Sequence, residues 1–96
     1  MYARVARWEG AEGQALRDSA ERMKSQAGPP PGVPGKGFLL LIDPDNGRSL
    51  AIALFDTEED LRTGDAALNA MNPDVSEGDG KRISVESYEV AIDVKV

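Results

Sequence analysis

The chain has no cysteine and no histidine. Without cysteine there is no disulfide framework, no oxidising compartment to infer and no thiol nucleophile. Without histidine the commonest general base and the commonest transition-metal ligand are missing, and a Ser-His-Asp triad cannot be assembled. Positive charge is also short: 11 basic residues stand against 17 acidic ones, a net charge of −6. That balance disfavours a nucleic-acid surface, which needs clustered cations to displace counterions. No apolar run approaches the ~18–20 residues of a membrane-crossing helix, and Met1–Val5 lacks the layout of a signal peptide. The expectation is a cytoplasmic protein with no nucleic-acid partner, no membrane partner, no metal and no cofactor.

What is present fits one domain, residues 1–96, with 41% apolar and 29% charged residues. Its centre is Lys36–Asp56, KGFLLLIDPDNGRSLAIALFD. Phe38–Ile42 and Leu50–Phe55 are apolar runs, and Asp43-Pro44-Asp45-Asn46-Gly47 between them supplies turn residues, with Asn-Gly for a positive φ. A hairpin follows. Neither strand alternates apolar with polar residues, so both faces of this pair require cover.

Tyr2–Trp8 reads as a first strand, with Ala3, Val5 and Arg7 on one face and Tyr2, Arg4, Ala6 and Trp8 on the other. A helix is expected near Ala11–Gln26, with Leu16, Ala20, Met23 and Ala27 as its apolar stripe and Asp18 placed to pair with Arg22. Gly28–Gly35, rich in proline, is a stiff connector. Thr57-Glu58-Glu59-Asp60 starts a second helix that buries Leu61, Gly64 or Asp65, Leu68 and Met71 and stops at Asn72-Pro73. Asp74–Gly80 is a loop, and Arg82–Val96 is the last β segment. Its apolar positions shift from odd to even after Val85, which predicts a β-bulge near Glu86-Ser87.

The order is β-α-β-β-α-β: a ferredoxin-like α+β fold, with a four-stranded antiparallel sheet in the order 4-1-3-2 and two helices on one face. The other face then has no cover of its own, yet the hairpin is apolar on both sides. Packing against a second copy resolves that conflict. The expected partner is therefore the chain itself, in a homodimer held by the sheet face and by the tail Glu89–Val96 crossing to the partner's edge.

On Tyr2–Trp8 with its arginines, Gly37-Phe38, Asp43–Gly47 and Leu50–Asp60 (LAIALFDTEED), the chain resembles the dimeric α/β-barrel superfamily, in particular the antibiotic-biosynthesis-monooxygenase-like proteins. The resemblance spans nearly the whole chain and implies a dimeric α/β barrel. It also implies a range of activities, from cofactor-free oxygenases to haem-degrading enzymes. The departures bear on activity. Phe55 stands where the family often has Trp. Haem-degrading relatives use an Asn on strand one and a Trp and His from helix two; here Arg7 lies near the first place, Gly64 near the second, and there is no His. Quinone-forming oxygenases use Asn, Trp, Tyr and Arg side chains; this chain offers Trp8, Tyr2, Tyr88, Asn69 and Asn72 without a clear placement on that motif.

Other motifs fail on spacing. Asp43–Leu54 has its Gly one position early and Leu where a calcium loop needs Glu, and Gly32–Gly37 lacks the glycine and hydroxyl of a phosphate loop. The ligand-binding candidates are Arg4, Arg7, Trp8, Phe55 and Tyr88. Two accounts of them stay open. In one, Arg4 pairs with a carboxylate such as Glu86 or Asp93 and Trp8 packs at the rim. In the other, Arg7 or Arg4 orients an anionic or carbonyl-bearing ligand while Trp8 and Tyr88 stack on it. The function expected is a non-catalytic small-ligand-binding or structural module, with a small hydrophobic or aromatic ligand. The alternative is a cofactor-independent monooxygenase-like enzyme acting on a planar aromatic or polyketide-like substrate. No catalytic residue stands out for it.

Overall fold

The structure, a computed structural model, describes residues 1–25, 32–71, 75–76 and 80–94. The elements in chain order are β1 (Tyr2–Glu9), α1 (Gly13–Lys24), β2 (Gly37–Asp43), β3 (Arg48–Phe55), α2 (Glu58–Met71), β4 (Val75–Ser76) and β5 (Gly80–Glu89). Across the sheet the strands run β2-β3-β1-β5-β4, and every pairing is antiparallel. The four long strands have the arrangement expected from right-handed crossovers, and the fold is ferredoxin-like α+β.

Register assigns the faces. Tyr2, Arg4 and Ala6 of β1 stand opposite Phe55, Ala53 and Ala51 of β3, and α2 lies over this side. The core gathers there: Phe55, Ala53, Leu61 and Val33, with Tyr2, Ala67 and Leu68 packed around them. Gly64 is buried because the Phe55 ring rests where a side chain on that residue would stand. The start of α2 follows its sequence: Thr57 Oγ1 accepts the Asp60 N–H at 3.0 Å and caps the helix beneath three acidic residues. The hairpin turn also follows, with Gly47 at φ +65°.

On the opposite side of the sheet stand Ala3, Val5 and Arg7, then Leu54, Ile52 and Leu50, then Leu39 and Leu41. None of the described elements covers this side; Leu39 is 53% exposed and Leu41 49%. An antiparallel sheet with one wet face ordinarily carries polar residues there. Across β2 and β3 this side carries Leu39, Leu41, Leu50, Ile52 and Leu54 instead.

Several expectations need correction. The irregularity in β5 lies opposite Arg7 and Trp8, where Arg7 pairs with Ser84 and Trp8 with Arg82, leaving Ile83 as the extra residue. At Glu86-Ser87 the ladder is regular. The odd-to-even shift has another cause: Val85 faces the helix side and Tyr88 the open side, so the shift records two apolar faces and not a backbone slip. The last strand ends at Glu89, after which the Val90 N–H donates to the Met1 carbonyl at 2.9 Å and Ala91–Val94 leave the sheet. The expected 74–80 loop contains β4, whose Val75 and Ser76 pair with Lys81 and Gly80. On α1, Leu16 and Ser19 are the buried residues and Met23 is exposed. Asp18 accepts from Gln14, four residues back, and Arg22 donates to Ser19, three back, in place of the expected Asp18–Arg22 pair. Ala27, the first half of the proline connector, the Asn72-Pro73 stop, the Met71 side chain and Val96 lie outside the described residues.

Candidate functional site

The two faces of the sheet divide the five candidate residues. Arg4 and Phe55 belong to the helix side. Arg4 is 3% exposed, donating from Nε to Asp65 Oδ1 at 2.7 Å and from Nη2 to Asn69 Oδ1 at 2.9 Å. Asn69 Oδ1 also accepts from Arg82 Nη1 at 2.8 Å, so one helix turn of α2 ties β1 to β5. Arg4 thus has the paired, structural role, with Asp65 as its carboxylate; Glu86 stands on the other face of the sheet. Phe55 is fully buried in the core on that side. Trp8 is half-buried at the end of β1, opposite Ser49 and Arg82.

Arg7 and Tyr88 are on the open side. Tyr88 donates its hydroxyl to Glu86 Oε2, and that hydrogen bond, followed by burial, pushes the phenol above its ordinary range. Ser84 Oγ lies 3.4 Å from Glu86 Oε1, so Arg7, Ser84, Glu86 and Tyr88 make a polar row beside the apolar strip. Arg7 itself has no hydrogen bond or ion pair from its guanidinium among the described residues. It is the only one of the five candidates to line a cleft described here.

That cleft, about 340 Å³, lies at the turn end of the sheet and is lined by Arg7, Glu9, Leu41, Ile42, Asp43, Arg48, Ser49 and Leu50. Asp43 is occupied within the turn: Asn46 Nδ2 and Arg48 Nε each donate to its Oδ2 at 2.8 Å. Those two hydrogen bonds, Asn46 first, hold its carboxyl below the usual carboxylate range. A second cleft of about 400 Å³ on β5 is lined by Asn69, Lys81, Arg82, Ile83, Ser84 and Val85. Among the described residues no group of three or more acidic side chains is placed to hold a metal ion, and no helix is long and apolar enough to cross a membrane.

Sequence reasoning passed over Glu9 and Arg48 and weighed Asp43 only as a turn residue and a failed calcium ligand. Strand parity places Glu9 with Arg7, and the hairpin register places Asp43 opposite Arg48. It also missed Asp65 and Asn69 as partners of Arg4, though four residues apart on a helix they share one face. Comparison with known proteins gives no matching family model and no matching curated protein.

Proposed function

We propose that two copies of this chain pack their open sheet faces together into a barrel of the antibiotic-biosynthesis-monooxygenase-like kind. The assembly then serves as a small-ligand-binding or structural module without catalysis of its own. The observation that carries this reading is the apolar open face, on which Leu39 and Leu41 stand half exposed beside Leu50, Ile52 and Leu54. Apolar surface of that continuity on a small domain marks an interaction site. A second copy suits it because the chain also carries a spare segment and a spare edge. Ile92 and Val94 are exposed on a segment that leaves its own sheet, and among the described residues no strand pairs with the outer side of β2.

Light scattering at micromolar concentration is expected to give a dimer. Leu39→Lys, at a position exposed in the single chain, is expected to shift it to monomer while leaving the fold intact. Truncation after Tyr88 is expected to weaken assembly. A monomeric parent chain sinks the proposal, and a fully dimeric truncated chain removes the C-terminal segment from it.

A pocket between sheet and helices lined by Arg7, Phe55 and a tyrosine would support either ligand-using reading, enzyme or binder, and a space filled by side chains the structural one. Arg7 and Phe55 instead stand on opposite faces, and side chains fill the helix side around Phe55. No oxygen uptake is expected with a panel of hydroquinones; turnover would restore the enzyme alternative.

A further inference from the structure

We propose that the cleft at the turn end of the open face binds an α-amino acid with an apolar side chain, held as the zwitterion. The proposal rests on the small-ligand half of the function above; the cleft lies at the turn end of the open face.

Four charged side chains line this cleft, and two of them cancel. Arg48 Nε donates to Asp43 Oδ2 at 2.8 Å, so that pair is internally matched. Arg7 and Glu9 remain, and neither side chain has a hydrogen bond or ion pair among the described residues. They stand two residues apart on β1, about 6–7 Å along a strand. Between these charges and the turn, Leu41 and Leu50 supply apolar lining.

A ligand entering the cleft desolvates both charges, and each then needs an opposite partner. A simple carboxylate would match Arg7 and leave Glu9 facing like charge. A simple amine would reverse the fault. A zwitterion satisfies both: its carboxylate takes two parallel hydrogen bonds from the Arg7 guanidinium, its ammonium donates to Glu9, and its side chain lies on Leu41 and Leu50. The volume, about 340 Å³, is at the lower end of the roughly 300–1,000 Å³ of small-molecule sites and suits a ligand of that size.

The charged end of β1 is also held in place. The Ala11 N–H donates to the Gly47 carbonyl at 2.9 Å, and Gly80, at φ +88°, lies so close to the Glu9 carbonyl that no side chain would fit there. The hairpin turn and the first residue of β5 thus grip the chain at and just past Glu9, which reduces the ordering cost of binding.

The test is an NMR shift titration of the full chain with L-leucine and L-phenylalanine, alongside leucinamide and N-acetyl-leucine. Saturable shifts are expected around Arg7 and Leu50, with either blocked leucine at least about tenfold weaker, as loss of a charge-assisted hydrogen bond implies. Arg7→Gln and Glu9→Gln, both at exposed positions, are each expected to weaken leucine about tenfold, and Glu9→Gln to improve N-acetyl-leucine. No saturation up to tens of millimolar overturns the proposal. So does equal binding of leucine and either blocked form, or binding that both variants leave unchanged. Light scattering on the same samples separates the two proposals: a monomer that binds leucine keeps this one and sinks the dimer, and a dimer that ignores leucine does the reverse.

Discussion

Replacing Phe55 by alanine is expected to destabilise the fold by about 3–5 kcal/mol, a large share of the roughly 5–15 kcal/mol available to a domain. Phe55 is the largest fully buried side chain, and Ala53, Leu61 and Val33 pack with it in the core. Its ring also fills the space above Gly64, so the two positions are coupled. In the parent chain Gly64→Ala drives a methyl into the ring and is expected to cost about 1–3 kcal/mol, less what the better helix former returns. In the Phe55→Ala background the same methyl enters vacated space, and the substitution is expected to stabilise α2 by about 1 kcal/mol. Urea denaturation at matched protein concentration measures all four chains, because assembly makes stability concentration-dependent. Equal Gly64→Ala effects in the two backgrounds would show that ring and helix are not in register as described.

Removing Asp65 should cost more than removing the arginine it serves. Asp65→Ala leaves the Arg4 guanidinium buried with only Asn69 for company, and about 3 kcal/mol is expected. The figure sits at the low end for a broken buried pair because the Asp65 side chain is 37% exposed and water can enter. Arg4→Met removes the charge, fills similar volume and returns Asp65 to solvent, so a loss within about 1 kcal/mol is expected. Denaturation of the two variants decides the matter. If Arg4→Met proves the more damaging, the ion pair contributes net stability and the burial argument is wrong.

The elements and their order were legible because their signals are local. Thr57 before three acids marks a helix start, and Asn46-Gly47 between apolar runs marks a hairpin. Sheet order followed from handedness alone. What was not legible was which face the helices cover. Strand parity already separates Arg4 from Arg7, three residues apart, but it does not say that Arg4 is the one sealed against α2 while Arg7 stands in the open. Phe55 was singled out by a resemblance to chains with tryptophan there, which says nothing of its burial; in the fold it sits in the core cluster with Ala53, Leu61 and Val33. The displaced bulge has the same origin, since a sheet apolar on both sides hides its register from any count of alternation.

The position of β1 has a consequence for how the chain is made. It is first in sequence but central in the sheet, with β3 on one side and β5 on the other. During synthesis its first neighbour, Arg48–Phe55, is some forty residues away, and its second, Gly80–Glu89, some seventy. At about 5–20 residues per second the ribosome takes on the order of ten seconds to supply both. Over that interval the nascent strand has two open edges, and the sheet can close only once Gly80–Glu89 has been made.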